Sequence, residues 1–235
     1  MICYAFAVPF EGQELVDKLT EKETFSLGTL SCVTGKLGHR TVLVAFIGMG
    51  LTNAAVNTQV IFDHFRLKAF ILAGFGGALV PQLKRGNVVI SDNFTHEEVK
   101  QFVRLLPDFN FANFCSTDEV VATPERKAEY AEATQCQVVD METAAVAEIV
   151  VGREKPFIAV RAISDELSDR LPAAALAAGF DAERNVATPV KLVFHCLTHP
   201  WDIKPFKNFI KELPPVRSNL TRFLLQITNE LPSSW

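Results

Sequence analysis

Apolar positions fall into short runs separated by turn residues, and runs with the pattern of strands alternate with runs of helical period. Strands are expected at 2–8, 27–34, 40–47, 68–73, 86–92, 113–116, 136–139 and 156–163. Helices are expected at 11–20, 52–65, 124–133, 141–151, 172–178, 188–198, 203–212 and 218–230. The run from Arg40 to Ile47 is rich in β-branched and apolar residues, as in a strand covered on both faces. Gly35 and Gly38 bound the turn before it, which suggests a hairpin with 27–34. Thr52 or Asn53 is expected to cap the second helix. Pro214-Pro215 is expected to separate the last two helices. This alternation predicts an α/β fold. The chain is expected to hold a core over 1–170, with helices over 171–235 completing or extending the same domain.

Composition narrows the functional classes. Hydrophobic residues make up 49% of the 235 positions, enough for a sizeable core. The formal net charge of -4 gives no global attraction to nucleic acid, so a small molecule is the expected partner. The five cysteines are scattered and form no C-x-x-C pair, as in a cytosolic chain with reduced thiols. Met1 to Val8 is apolar but short and carries no basic leader, so it reads as a buried strand. No stretch is long and apolar enough to span a membrane. The expected location is cytoplasmic.

Three junctions sit where open α/β sheets place their sites, at the ends of strands. Ile47-Gly48-Met49-Gly50 follows the strand 40–47, and Gly74-Phe75-Gly76-Gly77 follows 68–73. Glycines such as Gly48 and Gly76 let backbone approach a ligand, yet each loop alone is equally a tight turn. Neither is a complete dinucleotide fingerprint, and no Walker lysine follows. The third junction is acidic: Val138-Val139-Asp140-Met141-Glu142 enters a helix, and Pro156 to Asp165 is a strand ending in an acidic loop. Taken as residues only, Glu142 and Asp165 are equally well cap or turn carboxylates.

Together these segments resemble the purine nucleoside phosphorylase and methylthioadenosine/S-adenosylhomocysteine nucleosidase superfamily. The resemblance rests on Val139-Asp140-Met141-Glu142, Val160-Arg-Ala-Ile-Ser164-Asp165, Ile47 to Gly50 with Asn53-Ala-Ala55, and Gly74 to Gly77 with Leu83 to Asp92. It covers about residues 1–170 in the right order. It implies a three-layer αβα fold with a central mixed sheet, a homo-oligomer, and cleavage of a purine, adenine by preference, from its ribose without cofactor or metal. By the same resemblance Asp165 protonates the purine, Ser164 orients Asp165, Glu142 binds the ribose hydroxyls and Met141 packs on the sugar. Val120 and Val121 offer backbone groups to the base, and Glu11 activates water. Such an acid is needed because a purine anion leaves poorly. Taken as a residue only, Glu11 could equally be a surface carboxylate of a first helical turn. Phosphorylases of the family hold phosphate with arginines where this chain has Ala7-Val8-Pro9 and Ile71-Leu72-Ala73. Water is therefore the expected nucleophile, with phosphate the alternative if a partner subunit donates Arg40 or Arg66. A nucleoside-binding relative without catalysis is the rival from another class.

Some positions depart from the family pattern. Phe75 replaces a small residue, Asp140 stands where the nucleosidases have Glu, and 93–115 is shortened. The Leu171-Pro-Ala-Ala-Ala-Leu176 run resembles the hopanoid-associated phosphorylase branch, which implies a lipid-linked nucleoside. Lys204, Lys207 and Lys211, interleaved with Trp201, Phe206, Phe209 and Ile210, then suit an anionic membrane surface, or else a solvated helix face. His195 and His199 lie one turn apart. Without a completing Glu they read as helix-end packing rather than a metal site.

Overall fold

The computed structural model describes residues 1–103, 110–181 and 186–232. In chain order the first half runs β1 (Ile2–Phe6), α1 (Pro9–Asp17), β2 (Thr20–Leu27), β3 (Leu30–Leu37), β4 (Arg40–Phe46), α2 (Leu51–His64), β5 (Ala69–Ala78), β6 (Val88–Ser91) and α3 (Glu97–Val103). The second half runs β7 (Asn110–Ala112), β8 (Phe114–Ser116), α4 (Pro124–Thr134), β9 (Val138–Asp140), α5 (Thr143–Gly152) and β10 (Phe157–Asp165). It closes with α6 (Ala173–Gly179), the short pair β11 (Phe180–Asp181) and β12 (Val186–Ala187), α7 (Pro189–Thr198), a 3₁₀ turn over Pro200–Asp202, and α8 (Ile203–Glu230).

Alternation of side chains along the central strands splits the core in two. Tyr4 and Phe6 of β1 point to one face and pack with Leu15 of α1 and Val216, Leu220 and Leu224 of α8. Cys3 and Ala5 point to the other and pack with Ala54 and Ile61 of α2 and Val146 and Val150 of α5. The result is three layers around a ten-stranded mixed sheet, counted among the described residues. Its main path is β2-β3-β4-β1-β5-β10-β6-β7, with β9 on β5 and β8 on β9. The central strands β4, β1, β5 and β10 are parallel, and β6 runs antiparallel to β10.

The structure corrects several expectations. The expected strand 27–34 is broken by Gly28, whose φ of 61° makes a turn. The chain instead forms β2 and β3, and helix 11–20 stops at Asp17. The hairpin with β4 is present, shifted, with Leu37 opposite Arg40. Gly74 to Gly77 is no loop, because β5 continues through it to Ala78. Likewise Asp165 ends β10 rather than lying in a loop after it. Neither Thr52 nor Asn53 caps α2; Gly50 holds that position. The elements α3 and β7 were not expected, and within 93–115 residues 104–109 lie outside the described residues.

Helix α8 runs unbroken through Pro214 and Pro215. An interior proline costs about 3 kcal/mol. Against this, Leu213, Val216, Leu220, Leu224 and Ile227 are buried, each worth about 1.5–3 kcal/mol. Burial on the sheet therefore outweighs the local preference to break.

Candidate active site

The strand ends surround one cavity of about 230 Å³. Glu11 from α1, Gly76 and Phe75 from β5, Met141 and Glu142 before α5, and Ser164 and Asp165 from β10 all line it, as do Val120 and Val121. Of the residues singled out in the sequence, Gly48 stands outside this lining. Its φ of 85° turns the chain before α2, and its neighbour Met49 reaches the cavity instead. Leu171, Leu176, Phe209 and Leu213 make an apolar stretch of the remaining wall, to which Glu119 and Asp140 also contribute. Phe75 is held by an edge contact with Phe10, ring centroids 6.2 Å apart.

Glu11 is buried at 6% exposure, not a surface carboxylate. Its Oε2 accepts from the backbone N–H groups of Ala7 at 3.1 Å and Val8 at 3.3 Å, and its Oε1 from Phe75 at 2.8 Å. Gly74 makes this possible, since a Cβ there would stand 2.7 Å from Arg161 Nη1 and 2.9 Å from Glu11 Oε1. Glu142 Oε1 accepts from the Gly50 N–H at 3.1 Å, at the start of α2, and its Oε2 from Arg161 Nη2 at 3.2 Å. Its carboxylate is not a cap for its own helix. Asp140 does that work, accepting from the N–H groups of Glu142 and Thr143 while pairing with Arg161 Nε at 2.8 Å.

Arg161 was quoted in the sequence motif without a role. It is one cation, 1% exposed, among three buried carboxylates. The signal was present: a charged residue inside the otherwise apolar strand Phe157–Ile163 must be paired. The cluster has three carboxyl groups to one cation, and Glu142 and Glu11 are the two that hold their protons more tightly. Burial, with Asp140 and Glu11 nearby, pushes Glu142 up to about 8 against the pull of Arg161 and the Gly50 N–H. Burial also raises Glu11, opposed by Arg161 and its three backbone donors. Burial works against the Asp140 carboxylate too, but Arg161, Ser116 and Thr143 outweigh it and hold Asp140 below the usual range.

These shifts fix the sign of a stability measurement. Glu142 and Glu11 bind protons more tightly folded than unfolded, so their contribution is full below the ordinary value of 4.5 and is lost as pH rises, for Glu142 through about 8. The melting temperature is expected to fall from about pH 5 to about pH 8.5, and Glu142→Gln to flatten the fall. Parallel pH curves for Glu142→Gln and the parent chain would refute the raised carboxyl.

At the other end of the β5 glycines, Ser164 Oγ donates to Asp165 Oδ1 at 2.6 Å, the arrangement expected for an orienting serine. The Lys127 ammonium stands 2.5 Å from Oδ2. Nothing in the helix 124–133 marked this lysine as buried. Arg40 is turned inward, donating to the carbonyls of Leu231 at 2.5 Å and Pro232 at 3.2 Å. Arg66 is exposed. His195 pairs with Asp202 at 2.8 Å and stacks on His199, a packing arrangement at the end of α7.

Buried carboxyls at the ends of the central parallel strands thus border one cavity of small-molecule size. The Phosphorylase superfamily matches residues 2–114 and 104–198, and the chain belongs to that superfamily. A 5′-methylthioadenosine/S-adenosylhomocysteine nucleosidase of Shewanella denitrificans is 23% identical over 69% of this chain and 84% of its own length. That of Bacillus thuringiensis is 27% identical over 68% of this chain and 83% of its own. Among solved structures, the Neisseria meningitidis nucleosidase in complex with methylthio-immucillin-A matches with a TM-score of 0.72 and 22% identity, covering 98% of this chain and 99% of its own. The futalosine hydrolase of Helicobacter pylori matches with 0.75 and 17%, covering 98% and 97%.

Proposed function

We propose that the chain hydrolyses the N-glycosidic bond of an adenine nucleoside, releasing the free base. The observation that carries the reading is the placement of two kinds of carboxyl along one glycine-bearing strand. Glu11 and Glu142 gather around Arg161 beside Gly74, and Asp165 stands beside Gly77. Asp165 protonates purine N7, so that a neutral base leaves. Glu142 bonds the ribose hydroxyls, and in its ionised form it sets negative charge near the cation that forms at the sugar. Glu11 takes a proton from the attacking water, and burial raises its proton affinity in the direction that strengthens a base. The relatives named as nucleosidases support this reading, and so does the inward turn of Arg40. Base release over a panel of nucleosides, with and without phosphate, tests it; no release from any of them would sink it.

Glu142→Gln is expected to weaken binding and rate together, because a ribose contact is made in both ground and transition states. The loss should shrink for 2′-deoxyribosides if the 2′-hydroxyl is the partner. Equal losses on both sugars would leave that hydroxyl without a role.

We read the 5′-substituent as large and apolar, a lipid-type tail in the extreme case, since Phe75, Leu171, Leu176, Phe209 and Leu213 form an apolar stretch of the wall. Lys204, Lys207 and Lys211 are all exposed, as a helix facing an anionic membrane surface requires. The expected result is a higher kcat/KM for a long 5′-alkyl adenosine than for methylthioadenosine, with binding to anionic liposomes. A strong preference for methylthioadenosine with no liposome binding rejects the tail. Five free cysteines support a cytoplasmic location. Exposed Val56 and Val151, on the packed α2–α5 layer, support a homo-oligomer.

A further inference from the structure

Lysine is rarely buried without a partner that accounts for it. Lys127 is 0% exposed, although it comes from α4, whose other residues are mostly solvated. Its Nζ donates to the Glu166 carbonyl at 2.5 Å and stands 2.5 Å from Asp165 Oδ2. Oδ2 has no aligned hydrogen-bond donor, so the two groups meet as charges rather than as a directed hydrogen bond. Gly77 leaves the room, since a Cβ there would stand 3.0 Å from Oδ2.

The two oxygens of Asp165 therefore have different surroundings. Oδ2 faces a fixed cation on a helix. Oδ1 faces the Ser164 hydroxyl, which has a second acceptor in the Gly76 carbonyl at 3.3 Å. When Oδ1 carries a proton, that hydroxyl can turn its hydrogen to Gly76. No comparable adjustment is open to an ammonium.

We propose that Lys127 is a positioning residue for the leaving-group acid. It anchors Oδ2, leaves Oδ1 as the oxygen that carries the proton, and stabilises the carboxylate that forms when the proton leaves. The proposal rests on the reading of Asp165 as the acid. In the step, the Oδ1–H bond breaks and an N7–H bond forms. The C1′–N9 bond breaks with its electron pair passing to the purine, and Lys127 keeps all of its protons. Negative charge thus appears on Asp165 beside a cation already in place, which needs no reorganisation at that moment. A purely structural lysine would tie α4 to the Glu166 carbonyl and have no preference among leaving groups.

The test compares two substrates in Lys127→Met. One is the nucleoside that the parent chain cleaves best; the other is 4-nitrophenyl riboside, whose phenolate leaves without a proton. The variant is expected to lose about 10²-fold on the nucleoside while staying within about threefold on the aryl riboside. Asp165→Asn should show the same pattern. Equal loss on both substrates in Lys127→Met, with the aryl riboside spared in Asp165→Asn, overturns the role of Lys127 alone. An Asp165→Asn variant at parental rate on the nucleoside overturns the acid assignment and the proposal with it. If Lys127→Met does not fold, Lys127→Met/Asp165→Asn removes both charges of the pair and leaves neither unmatched. The double variant is expected to cleave the nucleoside no more slowly than Asp165→Asn alone, because the two act as one unit. A further multiplicative loss would reject the coupling.

Discussion

Asp165→Asn is expected to slow release of adenine by about 10²–10⁴-fold, the usual effect of removing an acid from a proton transfer, while nucleoside affinity stays within severalfold. The amide keeps the shape of the carboxyl and can still meet Ser164, so the sugar and base sites are undisturbed. It cannot hand a proton to N7. The substitution also leaves the buried Lys127 ammonium without its counter-charge, and breaking a buried pair costs about 3–5 kcal/mol. A lower melting temperature is therefore part of the expected result. Circular dichroism at the assay temperature separates it from the loss of chemistry. A folded Asp165→Asn protein that releases adenine at close to the parental rate would remove Asp165 from the mechanism.

How much of this was legible in the sequence depends on whether a residue's surroundings follow from its neighbours in the chain. The buried strands β1 and β4 were legible because both faces are covered and the runs are apolar throughout. Strand β2 was not, because Thr20–Leu27 is a mostly exposed edge carrying Glu21, Lys22 and Glu23. That is how an edge strand discourages pairing with another chain, and it is also how a solvated helix reads. The glycines of β5 looked like a turn. Their use is space: a side chain at Gly74 would collide with Arg161 and Glu11, a fact that lives in two other elements. Helix α8 looked broken because local preference at Pro214-Pro215 points that way and the opposing burial is tertiary. At the site, Glu11, Glu142, Ser164 and Asp165 were singled out through a family resemblance and share one cavity. The cation behind each carboxyl was not singled out. Arg161 left a trace as a charge in an apolar strand, whereas Lys127 sits in Pro124–Thr134 among charges that are truly solvated.

The nucleophile is decided at Glu11, and here water and phosphate make opposite demands. A phosphate dianion needs cations at the sugar face. Arg161 stands behind the cavity lining, and its guanidinium is already shared by Asp140 and Glu142, with Glu11 close by. Arg40 is committed to the carbonyls of Leu231 and Pro232. A phosphate entering there would have to share a guanidinium that Asp140 and Glu142 already hold. A neutral water makes no such demand and needs only a base, the role proposed for the buried Glu11. Glu11→Gln is accordingly expected to cut turnover by about 10²–10⁴-fold. Added phosphate should restore none of it, and the product in phosphate buffer should be the free sugar. Part of the loss will be structural: the amide has one acceptor where the carboxylate meets donors on both oxygens, from Ala7 and Val8 on one side and Phe75 on the other. The product therefore decides more sharply than the rate. Sugar 1-phosphate, formed at a rate that rises with phosphate, would show that the anion finds a site in spite of this competition, and hydrolysis would have to be given up.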